Sequence, residues 1–276
     1  MVEIICDSMS DVPKEIVEKY NIDIVPCSVN VDGIEYLDGV DITSEDFYKL
    51  MREAKEIPKS SQATYARFKE TFEKYINKYD DIVYIGGSSK ASGTFQSALM
   101  AINDIETNKI HYIDTLNFSA GGSVFVIKAC LLSEEGKTGE EIIKILESLK
   151  GTQKVFLTVD DLTYLKKGGR LSATKATIGS LLNIKPIIGL EDGLAVNKGQ
   201  IRGKKQVASE VFKLTTEGIE DFSDKIIVYG CGDNIEDLPL LKDKILKTNC
   251  KHIYEVRTGP GITVHTGPAI FGMAIL

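Results

Sequence analysis

The sequence has no apolar run that approaches the roughly 20 residues needed to cross a bilayer. Residues 1–7 form a strand-like pattern that includes acids. They lack the basic start and the cleavage-like end of a signal peptide, so we expect none. The five cysteines are scattered, odd in number and without a C-x-x-C pair, which is typical of reduced thiols. These absences predict a cytoplasmic protein.

The sequence also lacks the common motifs for metal binding, nucleotide binding and hydrolysis. The three histidines do not have the spacing of metal ligands. The chain contains no G-x-S-x-G elbow, no P-loop and no G-x-G-x-x-G motif. The net charge of −7 argues against a nucleic-acid partner and against general adhesion to anionic membranes, so we expect only transient membrane contact. The sequence therefore favours a binding protein, without catalytic residues, metal or cofactor, over an enzyme.

The two halves of the chain have different patterns. Short apolar runs alternate with helical patterns in residues 1–151, including one predicted strand over 24–31, which indicates a parallel sheet with helices on both faces. Residues 152–276 open with a strand and contain a hairpin signal at Asp192-Gly193, which predicts a mixed sheet covered by helices. We therefore expect two α/β domains that meet near Gly151-Thr152 and pack tightly.

A loop rich in hydroxyls is the most informative local feature. An apolar run stops at Gly86-Gly87, and Ser88, Ser89, Ser92 and Thr94 follow before an amphipathic segment. This order predicts a strand, a tight turn and a helix, at the position where open α/β sheets bind ligands. Hydroxyls in such a turn are often only helix caps. Four hydroxyls exceed what one cap needs, and with the free N–H groups of the helix they favour an anionic ligand.

Two further hydroxyl clusters precede helices or follow strands. They are DSMSD (residues 7–11) and KSSQAT (residues 59–64), and each could serve only as a cap. Three such loops in one half are what a ligand cleft at the edge of a parallel sheet requires. Two basic groups, at residues 166–170 and 202–205, are either ordinary helix-terminal cations or, if the fold brings them together, a cationic face for an anionic partner.

The segment of residues 257–268 is dense in glycine and proline, which predicts a sharply turning backbone that can approach a ligand closely. It carries His265, a candidate proton handler or anion donor. A single histidine can equally be a hydrogen-bonded structural residue, and the spacing alone leaves both interpretations open.

Taken together, these motifs resemble the DegV family of fatty-acid-binding proteins almost end to end. The matching segments are CDSMSD (6–11), VPCSV (25–29), SSQ (60–62), SSKASGTF (88–95), LKKGGRLS (165–172), NIKP (183–186), VNKGQIRGKK (196–205) and HTG (265–267). The chain departs from the usual family pattern at Ser60, Ala63, Ala91, Phe95 and Ala269, but the hydroxyls persist. Their order and spacing carry the resemblance.

The resemblance implies a two-domain α/β fold: a three-layer α/β/α unit with a parallel sheet, and a second α/β domain with a mixed sheet. It also implies a long-chain fatty acid in a buried tunnel, with its carboxylate near the domain junction. By motif match, the carboxylate would be held by Ser60, Ser61, Ser92, Gly93 and Thr94, with His265 nearby.

The resemblance further implies a partner, an ATP-dependent fatty acid kinase to which the protein presents the acid for acyl-phosphate formation. Arg170 and Arg202 match basic positions used for docking to that kinase. We accordingly expect uncharged donors, rather than an arginine, to hold the carboxylate. Two alternatives remain: a regulatory module that merely retains lipid, and an acyl hydrolase that uses Ser92 as nucleophile and His265 as base.

Overall fold

The computed structural model describes residues 1–160, 162–172 and 184–276. Asn183, part of the NIKP motif, lies outside the described residues. The strands form a parallel sheet, a small antiparallel sheet and a mixed sheet. This mixed α/β architecture is the predicted fold class.

The parallel sheet forms the centre of the first half. Its strands are β1 (Val2–Asp7), β2 (Asp23–Val25), β6 (Asp81–Gly86) and β7 (Ile110–Asp114), in the order β2-β1-β6-β7. Successive side chains point to opposite faces: Ile5 and Tyr84 pack into one layer, and Cys6 and Ile85 pack into the other. Both faces are apolar, so helices must cover both, as the alternating pattern predicted.

Helices cover the two faces in separate layers. Against Ile5 and Tyr84 lie α3 (Tyr65–Tyr75) and α4 (Thr94–Ile105); against Cys6 and Ile85 lie α1 (Lys14–Tyr20), α5 (Ala120–Glu134) and α6 (Gly139–Leu149). Thr64 caps α3 by accepting a hydrogen bond from the N–H of Arg67, which confirms the capping interpretation for that hydroxyl.

The prediction of one strand over residues 24–31 is wrong. The chain leaves the parallel sheet after β2, and the next strand belongs to an antiparallel sheet of order β4-β3-β5. Its strands are β3 (Ser28–Val31), β4 (Ile34–Leu37) and β5 (Lys59–Ser61), and α2 (Ser44–Glu53) packs behind them. The break falls at Pro26, because proline has no N–H to donate to a ladder. This sheet carries Ser60 on β5, where it pairs with Val29.

The second half forms the mixed sheet. Its strands are β8 (Lys154–Thr158), β9 (Ile184–Glu191), β10 (Leu194–Arg202), β11 (Ile226–Cys231), β12 (His252–Arg257) and β13 (Phe271–Ile275), in the order β10-β9-β8-β13-β11-β12. The hairpin signal is confirmed: Asp192 and Gly193 both adopt positive φ, 49° and 80°, as a type I′ turn requires. Helices α8 (Val207–Thr216) and α9 (Leu238–Ile245) cover one face.

Helix α5 packs between the parallel and the mixed sheets. Residues 124–127 are all fully buried, and one apolar cluster joins the helix to Val83 of β6 and to Val228 and Ala274 of the mixed sheet. A helix that is apolar on all sides must be covered on all sides. In the part of the chain that the structure describes, the strands before residue 151 belong to the first two sheets and the strands after 152 belong to the mixed sheet. The domain boundary itself remains a prediction.

The glycine- and proline-rich segment contains a short helix, α10 (Pro260–Thr266), rather than continuous turns. Pro260 occupies the first helical position, where its missing N–H has no cost. Gly267 ends the helix with a φ of 80°. Helix α10 lies against the first half and near the end of α7 (Thr163–Lys167), so it joins the two parts of the chain at the site described below.

The position of α5 between the two sheets leads to a prediction about stability. Phe125→Ala in α5 is expected to lower the free energy of unfolding by about 3–5 kcal/mol, because the removed ring is fully buried. Chemical denaturation followed by circular dichroism measures this loss. Met100→Ala on α4 is the control, since Met100 is 55% exposed and should change the stability by less than about 0.5 kcal/mol. A similar small loss in both variants would contradict the central position of α5.

Candidate ligand-binding site

A cavity lies where the two halves meet, and it is called the junction cavity below. Its empty volume, part of which is open to solvent, is about 490 Å³. Its lining residues come from both halves: Met9, Cys27, Ser60, Ser61, Ala91, Ser92, Phe118, Leu165, Arg170, Gly261, Ile262, His265 and Thr266. Three of the predicted head-group serines are thus brought together with His265, although they are distant in sequence.

The junction cavity is polar on one side and apolar on the other. Ser60, Arg170 and His265 also line an open cleft at the surface, the outer cleft, so the polar wall faces outward. Phe118 also lines a second, inner cavity, so the apolar wall faces the interior. A ligand with one polar end and one apolar end fits this arrangement.

His265 and Ser60 form a hydrogen-bonded pair across the junction. The His265 Nε2 lies 2.7 Å from the Ser60 Oγ. Gly168 makes room for the ring, because a Cβ there would lie 2.4 Å from the His265 Nδ1. Burial, aided by the nearby Arg170 cation, lowers the pKa of His265 to about 4. The imidazole is therefore neutral at physiological pH.

The pairing corrects the proposed hydrolase arrangement. His265 bonds Ser60, whereas the Ser92 Oγ lies 2.9 Å from the Thr94 Oγ1. The Arg170 cation also opposes the imidazolium that a general base must form. The geometry therefore does not support Ser92 and His265 as a nucleophile and base.

Arg170 lies in the wall of the junction cavity, a position that the sequence interpretation as a docking residue did not include. Its Nε donates to the Ala91 carbonyl at 2.8 Å, and its Nη1 donates to the Gly168 carbonyl. Burial lowers the pKa of the guanidinium, which nevertheless remains charged. The sequence interpretation included only uncharged donors, whereas the wall of the junction cavity also contains a cation held by two backbone carbonyls. Which of these groups meets a carboxylate remains a prediction.

The hydroxyls of residues 88–94 have different roles. Among the hydroxyl-bearing residues of this loop, only Ser92 lines the junction cavity, next to Ala91. Ser88 is buried and donates to the Gly193 carbonyl at 2.7 Å, which attaches the loop to the β9–β10 hairpin. Thr94 is fully buried and accepts the N–H of Ala63 at 3.2 Å, so it connects the loop to the segment between β5 and α3. Most of the loop's hydroxyls therefore position the site and do not face the cavity.

Gly93 begins α4 and lies outside the cavity lining. A Cβ at this position would lie 2.1 Å from the Gln62 Oε1, so a side chain there would displace the end of the Gln62 side chain. Gly93 as a direct ligand donor remains a prediction.

The structure does not bring Arg202 next to Arg170. The chain around Arg170 pairs with Ala195 near the start of β10, where the Ala195 N–H donates to the Arg170 carbonyl at 3.1 Å. Arg202 is exposed at the far end of the same strand. At a rise of ~3.3 Å per residue, the two positions are roughly 20 Å apart. The two basic groups do not form one compact cluster.

For two of the residues that line the junction cavity, the sequence contained only weak indications of a place in the site. Cys27 belongs to the VPCSV motif, and burial raises the pKa of its thiol to about 12, so it is an apolar wall group rather than a nucleophile. Phe118 stands in the short loop between β7 and α5, where a large apolar residue is unusual. The large apolar side chain in a loop was the signal that the sequence offered for this residue.

Known proteins similar to this chain share its full length. Residues 1–276 match a family model described as "Uncharacterised protein, DegV family". A DegV domain-containing protein of Clostridium acetobutylicum is 38% identical over 274 residues, which are 99% of this chain and 97% of the relative.

Solved structures agree with the fold. A DegV family protein from Thermus thermophilus, described for its fatty acid binding, has a TM-score of 0.89 at 28% identity and covers 99% of this chain and 98% of its own. A stearic-acid-binding protein from Eubacterium ventriosum has a TM-score of 0.88 at 27% identity, with coverage of 100% and 98%. The predicted fold class is confirmed.

The lowered pKa of His265 makes stability depend on pH. Because its pKa is about 4 when folded and ~6.5 when unfolded, the unfolded state binds more protons between these values. The contribution of His265 to the free energy of unfolding should therefore be at its maximum above pH ~6.5. The free energy of unfolding should decrease by at most about 3 kcal/mol as the pH falls to ~4. Chemical denaturation of the lipid-free protein and of the His265→Gln variant at several pH values measures this dependence. The difference between the two free energies of unfolding at each pH isolates the contribution of His265.

His252→Gln is the matched control, since His252 lies on β12 and outside the junction cavity. Its pH dependence should follow that of the unchanged protein. A pH profile that His265→Gln leaves unaltered would show that the ring is not held neutral by its surroundings.

Proposed function

Because the chain belongs to the DegV family, we propose that it binds a long-chain fatty acid, with the carboxylate at the polar wall of the junction cavity and the tail in the apolar interior. The observation that carries this proposal is the cavity itself, in which Ser61, Ser92 and Arg170 oppose Phe118 and Ile262. The similar proteins described as binding fatty acids support it.

The apolar tail supplies most of the affinity in this proposal. Burial of one methylene contributes about 0.8 kcal/mol, so some fifteen contribute on the order of 12 kcal/mol before the entropy cost of association. The wall formed by Met9, Phe118, Leu165 and Ile262 provides the apolar contact. The head group then needs only to avoid the large cost of a buried, unpaired charge.

The polar wall has donors suited to a carboxylate. Arg170 supplies the charge, while Ser61 and Ser92 supply hydroxyl donors. The His265 Nδ1 lies on the side of Gly168, which the Arg170 guanidinium also contacts. A cation there favours a hydrogen on Nε2, which then donates to the Ser60 Oγ. The Ser60 hydroxyl is thereby left to donate to the ligand.

We further propose that the bound acid is presented to a separate ATP-dependent kinase. A carboxylate oxygen would attack the γ-phosphorus of ATP, the bond from that phosphorus to the β-phosphate oxygen would break, and ADP would leave. The outer cleft supports this role, because it connects the polar wall to the surface and carries Lys55, Lys59 and Lys167. These cations suit the approach of a triphosphate. In this proposal the chain is a carrier and has no catalytic activity of its own.

Removal of the two hydroxyls tests the head-group site. Ser61→Ala combined with Ser92→Ala should weaken fatty acid binding by about tenfold or more per hydroxyl, because hydrogen bonds to a charged group contribute about 1.5–3 kcal/mol each. Titration of the delipidated protein with palmitic acid measures the change. Ser89→Ala is the control in the same loop, since Ser89 is exposed and lies outside the cavity. Equal affinity in all three proteins would refute the head-group assignment.

Charge reversal separates binding from presentation. Arg202→Glu should leave the affinity for palmitic acid unchanged and slow ATP-dependent phosphorylation by a fatty acid kinase, with the salt dependence of the rate reduced. Arg170→Glu should weaken both, because Arg170 lines the cavity. Lys213→Glu, an exposed reversal on α8, is the control. Normal phosphorylation of the Arg202→Glu protein would remove Arg202 from the docking surface.

Failure of the unchanged protein to be phosphorylated at all would favour a lipid-retaining regulatory module.

A further inference from the structure

The inner cavity lies directly behind the junction cavity. Its empty volume, part of which is open to solvent, is about 330 Å³. It is lined by Phe118, Ser119, Ala120, Val155, Phe156, Leu157, Gly230, Val256, Thr258, Ile270, Gly272 and Met273. Most of these side chains are apolar, and they come from the N-terminus of α5 and from the mixed sheet. Among the described residues, Phe118 is the lining residue that the two cavities share. Its ring therefore stands between them.

The backbone around Phe118 is held in an unusual conformation. Leu116 and Ser119 both adopt positive φ, 52° and 51°, which side-chain-bearing residues rarely do. Such strain persists only where the surroundings enforce it. Here the N–H of Ser119 donates to the Met9 carbonyl at 2.6 Å, and the N–H of Ser88 donates to the Asn117 carbonyl at 2.9 Å. These bonds fix the Cα of Phe118 from both sides.

The side chain of Phe118 has a different kind of environment. Its ring is 7% exposed and packs within the apolar cluster that includes Met9, Leu157 and Ile270. These contacts are nonpolar, so movement of the ring breaks no hydrogen bond, and empty space lies on both sides of it. Rotation of the side chain is then the freedom that remains when the backbone is fixed.

We propose that Phe118 is the residue that determines which acyl chain lengths this protein accepts, a role that rests on the proposed function. A shorter tail ends against the ring within the junction cavity. A longer tail must displace the ring to place its terminal methylenes in the inner cavity. The ring thus adds a cost that only long tails meet, and the strained loop keeps that cost constant by preventing retreat of the backbone.

Truncation of the ring should join the two cavities. In Phe118→Ala, each methylene that gains a place in the inner cavity should raise the affinity about fourfold, since its burial contributes about 0.8 kcal/mol. Acids that already fit within the junction cavity should gain nothing. The ratio of long-chain to short-chain binding should therefore increase by at least about fourfold, and the preferred acid should become longer.

The experiment uses delipidated full-length protein and an equimolar mixture of lauric, myristic, palmitic, stearic and arachidic acids, with the bound species counted by native mass spectrometry. Phe118→Ala should shift the distribution toward stearic and arachidic acids. Phe118→Leu, a milder truncation, should shift it in the same direction and serves if the alanine variant does not fold. Phe212→Ala, a ring truncation on α8 outside both cavities, should keep the original distribution.

A second change tests the path of the tail. Ala120→Leu places a larger side chain in the inner cavity and so reduces its space. In the Phe118→Ala background, this change should reverse the shift in chain length. If folded Phe118 variants bind fatty acids with the original length distribution, Phe118 does not select chain length and the proposed function is untouched. If the unchanged protein binds none of the five acids, the proposed function itself fails, and this inference fails with it.

Discussion

The requirement to bury helix α5 on all sides organises this protein. Phe125 and Val126, adjacent in sequence, point in different directions from the helix axis, and both are fully buried. No single sheet can cover a helix in that way, so the parallel sheet lies on one side and the mixed sheet on the other. The carboxyl ends of β1 and β6 are thereby directed toward residues from the second half, and the junction cavity forms between them.

The buried carboxyl groups of Asp11 and Asp38 connect that junction to α10. Asp11 accepts the N–H of Gly259 at 2.8 Å, and Asp38 accepts the N–H of Gly261 at 3.0 Å, so acids of the first half hold the first turn of a helix from the second. Burial raises the pKa of Asp11 to about 8 and that of Asp38 to about 6. The position of His265, at the other end of this short helix, therefore depends on contacts made by the first half.

The charge at the polar wall changes the physical account of the ligand. Hydroxyls alone would give the wall of the junction cavity only partial charges for an anion, whereas Arg170 gives it a full positive charge. Two of the guanidinium's donors already bond Ala91 and Gly168, so the group is positioned before any ligand arrives. Burial, aided by the same cation, keeps His265 neutral, so the histidine is a hydrogen-bonding partner of Ser60 rather than a second charge.

The sequence by itself determined those strands, caps and turns that depend on residues close together in the chain. The apolar run of β1, the cap at Thr64 and the turn at Asp192-Gly193 depend on backbone preferences and on neighbours a few residues away, and each was predictable. The motifs also indicated which loops form the site. The split of residues 24–31 was missed because strand periodicity does not say which sheet a strand joins.

The tertiary structure alone decided which side chains meet. Ser60 and His265 are separated by 205 residues, and Ser88 reaches Gly193 over 105. Nothing in the residues near Ser88 distinguishes a hydroxyl that ties two halves together from one, like Ser92, that faces a cavity. Likewise, Arg170 reads as a helix-terminal cation until the fold brings α10 and the loop after β6 against it. Hydrogen bonds and burial between distant segments depend on the packing of all elements at once, and no local pattern encodes them.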